Sequence, residues 1–207
     1  MKREAKSREW MRRHVADPFV KAAKAQGYRS RAAFKLMEID DRDKLLRPGM
    51  RVVDLGAAPG SWTQLIAERT EPRGMVVALD MLPMNPLPGV NFILGDFREQ
   101  EVLVALEKLL DGMPVDLVVS DMAPNLSGVE VSDQARSQHL CALALEFAGE
   151  HLKPGGAMLI KTFQGSGYPE FLVRMRGAFE SVASRKPSAS KGRSAEMYLL
   201  GRGKRSR

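Results

Sequence analysis

The sequence predicts an α/β fold: a single domain built on a mostly parallel twisted sheet with helices on both faces. Three observations predict it. Short apolar runs alternate along the chain with longer segments of helical periodicity. A glycine-rich turn, Gly56-Ala57-Ala58-Pro59-Gly60, separates a strong apolar run from the helical pattern that follows it. Acidic or basic residues close successive apolar runs, at the carboxyl ends where open parallel sheets bind ligands. With 207 residues, 44% of them hydrophobic, the chain can bury one sizeable core and has no obvious room for a second.

The elements follow in order. Residues 30 to 39 read as a helix with Ser30 as a plausible cap. Strands are expected near 51 to 55, 75 to 80, 91 to 94, 115 to 120 and 156 to 162, and helices near 61 to 69, 99 to 110, 133 to 152 and 168 to 179. Two further strands are expected near 180 to 185 and 195 to 201. The domain then spans 30 to 201, between a basic N-terminal extension, 1 to 29, and a basic tail, 202 to 207. No apolar stretch reaches the roughly 18 residues needed to cross a bilayer. The charged N-terminus lacks the apolar segment of a signal peptide. A cytoplasmic protein without a membrane partner is expected. The single cysteine, Cys141, excludes an internal disulfide and a cysteine-based zinc cluster, and its apolar helical surroundings make it a core thiol. His14, His139 and His151 have no metal-binding spacing, so no metal is expected.

Charge is unevenly distributed. Residues 1 to 35 hold eleven Lys/Arg against three acids and residues 185 to 207 eight against one, while the body between them is acidic. The N-terminal cations are interleaved with Trp10, His14, Phe19, Tyr28 and Phe34, which sets stacking surfaces beside phosphate-binding charges. That pattern favours a nucleic-acid partner over inert solvated tails.

The glycine loop narrows the ligand. It reads GxxxG, without the third glycine of dinucleotide sites or the Lys-Ser/Thr ending of a P-loop. An adenosine ligand carrying little phosphate remains, and S-adenosylmethionine fits that description. Asp80, about twenty residues beyond the loop, stands where an acid accepts both ribose hydroxyls, and Asp96 where one accepts from an adenine amino group. Asp121 and Lys161 close the next two strands on the same rim. Trp62 could pack in the core or touch the cofactor, and Asp54 could organise the loop's N-H groups.

Beyond these features, the chain resembles the FtsJ family of RNA ribose 2′-O-methyltransferases, in its bacterial branch. The matching segments include Gly27-Tyr28-Arg29-Ser30-Arg31-Ala32-Ala33-Phe34-Lys35-Leu36, Val53-Asp54-Leu55-Gly56-Ala57-Ala58-Pro59-Gly60-Ser61-Trp62 and Asp80-Met81-Leu82-Pro83-Met84. Further matches are Gly95-Asp96-Phe97-Arg98, Ser120-Asp121-Met122-Ala123-Pro124-Asn125, Lys161-Thr162-Phe163-Gln164-Gly165 and Arg193-Ser194-Ala195-Glu196-Met197-Tyr198. The resemblance implies a Rossmann-like S-adenosylmethionine-dependent methyltransferase fold, with a catalytic set of Lys35, Asp121, Lys161 and Glu196. It implies cofactor contacts at Gly60, Trp62, Asp80, Asp96 and Asp121. Ser61 stands where the family pattern leads one to expect a second glycine. The implied substrate is a uridine ribose in large-subunit ribosomal RNA, free or in the assembled subunit, with the enzyme acting as a monomer in ribosome biogenesis.

Methyl transfer to a ribose hydroxyl needs the oxygen in line with the methyl group and the loss of its proton. A general base supplies roughly 10² to 10⁴ in rate. Lys161 is the candidate base; a cationic Lys161 that only steers the hydroxyl is the competing role. Methylation of another RNA, such as tRNA, or a catalytically silent RNA-binding factor on the same fold, are the alternative functions. A silent factor has no need of Lys35, Asp121, Lys161 and Glu196 together.

Overall fold

A computed structural model describes residues 16–124, 127–190 and 194–206. Within them the apolar runs become β1 (Arg51–Leu55), β2 (Met75–Asp80), β3 (Val90–Leu94), β4 (Val115–Ser120), β5 (Leu152–Phe163), β6 (Phe179–Arg185) and β7 (Glu196–Lys204). They form one sheet in the order β3-β2-β1-β4-β5-β7-β6. The pairs from β3 through β5 are parallel, and β7 runs antiparallel to both of its neighbours. The helices are α1 (Pro18–Ala25), α2 (Ala33–Asp43), α3 (Ser61–Thr70), α4 (Gln100–Leu110), α5 (Glu130–His151) and α6 (Tyr168–Ala178).

The strands read as nearly unbroken apolar runs because both faces of the sheet are covered. Val52 of β1 packs with Leu36 and Ile39 of α2 and Leu65 and Ile66 of α3. Its neighbours Val53 and Leu55 point to the other face, among Leu106 of α4, Ala144 of α5 and Phe171 of α6. Burying one such leucine contributes about 1.5 to 3 kcal/mol. Strand order reverses between β1 and β4, with α3 leaving β1 to one face and α5 leaving β4 to the other. A crevice opens at their carboxyl ends.

Five elements differ from expectation by three residues or more, among them α5, which begins at Glu130 where 133 is expected. No helix is expected before residue 30, yet α1 forms there. Asp17 caps it, accepting from Phe19 N-H at 2.9 Å, and Pro18 stands in the first turn, a strong start signal hidden in a basic stretch. The helix expected from residue 30 starts at Ala33. Ser30 Oγ accepts from Ala32 N-H at 3.1 Å and so closes the turn before α2 instead of capping it. β5 begins at Leu152, four residues early. Val115 pairs with Leu152 while Leu117 pairs with Ala157, so Lys153-Pro154-Gly155-Gly156 bulges out of the ladder and masks the strand's first residue. β7 continues to Lys204, across the boundary expected at 201, because Arg202 pairs with both Ala157 and Ser181. Trp10 and His14 lie outside the described residues.

Candidate active site

At the end of β1 the backbone turns at Gly56 with φ +82°, and a Cβ there would lie 2.7 Å from Met122 Cγ. Only glycine lets this loop rest against the segment leaving β4. Gly56 and Ala57 N-H donate to Leu79 O at 2.9 and 3.1 Å, which fastens the loop to β2. A cavity of about 490 Å³ follows, running over the carboxyl ends from Gly56 and Ala58 past Asp80 and Asp96 to Asp121, with Arg136 and His139 at the α5 side.

Asp80 is held by two backbone donors, Ala58 N-H to Oδ2 and Leu82 N-H to Oδ1, each at 2.8 Å. Each oxygen keeps acceptor capacity for a diol. Asp96 grips Arg98, which donates through Nε to Oδ1 at 2.9 Å and through Nη2 to Oδ2 at 2.5 Å. The Arg98 guanidinium outweighs burial and holds the Asp96 carboxyl below the usual range. Gly60 and Trp62 do not line the cavity. Gly60 stands at the start of α3, and Trp62 is core-packed, its Nε1-H donating to Ala32 O at 2.8 Å. The donor set suits S-adenosylmethionine: carboxylates for a ribose diol and for cationic sulfonium and ammonium groups, and a bare-backbone loop where the molecule must approach closely.

A buried polar cluster adjoins the cavity at Asp121. Lys161 Nζ lies 3.0 Å from Asp121 Oδ1 and also donates to the Asp121 backbone carbonyl. Lys35 Nζ lies 2.6 Å from Glu196 Oε1. Tyr198 joins the two pairs. Its hydroxyl accepts from Lys35 Nζ at 3.1 Å and donates to Asp121 Oδ1 at 2.8 Å, with Glu196 Oε1 as the other acceptor at 3.3 Å. Burial, then the two carboxylates, push the Tyr198 hydroxyl far above its ordinary value, so it keeps its proton. Burial works to raise Glu196, but Lys35, Ser190 Oγ at 3.0 Å and the Lys161 charge hold it below its usual range.

Sheet geometry assembles this cluster. Lys161 of β5 stands directly opposite Tyr198 of β7, and Glu196, two residues before Tyr198, shares its face. α2 packs over that face and brings Lys35 down upon it. Lys35, Asp121, Lys161 and Glu196, the set that the family resemblance implies, thus come together. Tyr198 was not among the expected site residues. Its signal was the two-residue spacing from Glu196, hidden inside an apolar strand.

Asp54 is fully buried at the end of β1. Its hydrogen bond comes from Thr63 Oγ1 of α3 at 2.7 Å, not from the loop backbone as expected, and Oδ1 has no partner. Burial, with Asp121 and Asp80 nearby, pushes its carboxyl up to about 7. Cys141 is a core thiol, raised by burial to about 11.

A family model described as FtsJ-like methyltransferase matches residues 28–204. Ribosomal RNA large subunit methyltransferase E of Methylobacillus flagellatus is 58% identical over 201 residues, covering 97% of each chain. The protein of that name from an Azoarcus species is 61% identical, over 97% of this chain and 98% of its own. The crystal structure of a candidate ribosomal RNA methyltransferase from Plasmodium falciparum aligns with a TM-score of 0.77 at 30% identity, over 87% of this chain and 100% of that one. Aeropyrum pernix fibrillarin, solved with S-adenosyl-L-methionine, aligns with a TM-score of 0.56 at 17% identity, over 84% of this chain and 75% of that one, a likeness of fold alone.

Proposed function

The chain belongs to the FtsJ-like methyltransferase family, and from that membership we propose that it methylates the 2′-hydroxyl of a uridine ribose in large-subunit (23S) ribosomal RNA, as a step of ribosome biogenesis. It is an S-adenosylmethionine-dependent methyltransferase. The observation that carries the reading is the position of Asp121, which lines the cofactor cavity and also holds Lys161 at 3.0 Å. Cofactor and target hydroxyl therefore meet at one residue. When bound, S-adenosylmethionine supplies an electrophilic methyl group on a sulfonium.

The chain's own groups supply the rest. Asp80 holds the cofactor ribose, and Asp96 takes the adenine amino group. Lys161 acts as the base from its deprotonated form: it takes the hydroxyl proton as the methyl group leaves the sulfonium for the oxygen, and the charge it thereby regains is met by Asp121. That stabilisation belongs to the transition state more than to the ground state, as catalysis requires. Lys35 and Glu196 fix the ribose, their ion pair being held in place by Tyr198 and Ser190. The basic segments at the two ends of the chain bind the RNA backbone. We place the protein in the cytoplasm, as a monomer acting away from membranes; among the described residues no helix is long and apolar enough to cross one.

Incubation with labelled S-adenosylmethionine and either naked RNA or large ribosomal subunits, followed by mapping of the modified nucleotide, tests the substrate. Label on a base, or on no nucleotide, would overturn the reading. The base assignment is tested by Lys161→Met and Lys161→Arg. Single-turnover methylation should fall by roughly 10² or more in both, with cofactor and RNA affinities nearly unchanged. The arginine variant discriminates, since guanidinium keeps the charge but cannot become neutral near pH 7. Near-normal turnover by Lys161→Arg would make Lys161 a steering cation.

A further inference from the structure

Arg29 belongs by sequence to the basic extension, where a cation is expected to hold phosphate. Its guanidinium is engaged elsewhere. Nη1 donates to Pro59 O at 3.0 Å and to Asn85 O at 2.6 Å, and Nη2 donates to Pro86 O at 2.9 Å. These carbonyls belong to two loops, one following β1 and one following β2. Both loops wall the cofactor cavity, the first through Ala58 and the second through Met81 and Leu82.

The second loop is fastened at its start, where Leu82 N-H donates to Asp80 Oδ1 at 2.8 Å. Met81 and Leu82 are 54% and 62% exposed, so no apolar core anchors the loop there. Gly60 supplies an independent observation. A Cβ at this position would lie 2.5 Å from Arg29 Nη1, so a side chain would displace the guanidinium from Pro59. The α3 cap is bare where Arg29 must pass. Ser61 Oγ, donating or accepting at 2.7 Å with Ser30 Oγ, fastens the neighbouring residues of the same two segments.

We infer that Arg29 is a positioning residue for cofactor binding, which locks the β1 and β2 loops together behind the cavity, and that it is not a phosphate ligand. The inference rests on reading that cavity as the S-adenosylmethionine site. A planar guanidinium can span three carbonyls from two nitrogens, whereas an ammonium donates from a single point.

Arg29→Gln and Arg29→Lys are measured by calorimetry with S-adenosylmethionine and by RNA binding at several salt concentrations. Both variants should bind the cofactor about tenfold more weakly, the order expected when charge-assisted hydrogen bonds that order a loop are removed. KM for the cofactor should rise with kcat preserved, and the salt slope of RNA binding should stay that of the wild type. Gly60→Ala should also weaken the cofactor, and adding Arg29→Gln to it should cost less than Arg29→Gln alone, because both changes break the same hydrogen bond. Unchanged cofactor affinity in the Arg29 variants, additive losses in the double variant, or a salt slope reduced by about 0.7 in Arg29→Gln would overturn the inference. Failure of the wild type to bind S-adenosylmethionine would instead refute the reading of the cavity.

Discussion

Tyr198 holds one proton between two carboxylates, and that places it at the junction of the candidate site's two ion pairs. Asp121 and Glu196 compete for the hydroxyl at 2.8 and 3.3 Å while Lys35 donates to it at 3.1 Å. Tyr198→Phe keeps the ring packed on Trp62, 5.5 Å away between centroids, and removes only the hydroxyl. Hydrogen bonds to charged groups contribute about 1.5 to 3 kcal/mol, so single-turnover methylation should fall by roughly ten- to a hundredfold. Cofactor affinity measured by calorimetry should not change, and a Phe variant with full turnover would remove Tyr198 from the machinery. Asp121 and Lys161 were legible because they are charged side chains that close apolar strands, whereas Lys35 and Glu196 were legible only through the resemblance to the family's motifs. Tyr198 was not, because a tyrosine in a strand reads as packing until its cross-strand neighbour is known.

At the scale of elements, the junction of β1 with α3 stores a pH dependence. Asp54 carries its proton up to about pH 7 in the fold, whereas an unfolded aspartate loses it near 3.8. Between those values the folded state holds a proton that the unfolded state has released. Stability from this group is therefore complete below about pH 4, declines as pH rises to about 7 and is then flat, a total on the order of 4 kcal/mol for Asp54 with its pKa near 7. Asp43, Asp96 and Asp116 are held below their usual range and act in the opposite sense, losing stability only as pH falls through the acid range. In Asp54→Asn the decline between pH 4 and 7 should vanish from urea-unfolding free energies. An unchanged slope would mean that Asp54 is ionised in the fold. The strand and helix order was legible from periodicity, yet β5's first residue was not, because Pro154-Gly155-Gly156 breaks the apolar pattern that marks a strand. α1 was hidden for the converse reason: its Asp-Pro start sits in a stretch dominated by charge.

For the whole molecule, the balance of charge predicts how RNA is held. Deleting residues 1–15 removes six Lys/Arg and two acids while leaving Asp17 in place to cap α1 and pair with Arg31. RNA binding should weaken, and its log-log salt dependence should flatten by about 0.7 for each phosphate no longer neutralised. Cofactor affinity should match that of the full chain. Equal RNA binding by both chains across salt concentrations would favour an inert tail.

The sequence by itself determined the alternation of strand and helix, the glycine loop, the acidic rim and the basic ends. Each is a local pattern, carried by residues within one element or one turn. Only the tertiary structure decided what those residues touch. Lys35 meets Glu196 across 161 positions because α2 lies over the face that β5 and β7 share. Trp62 turned to the core, and Arg29 to the loops that follow β1 and β2. A side chain's orientation depends on strand order and helix placement, which follow from burying the whole apolar surface at once, and no window of sequence contains that condition.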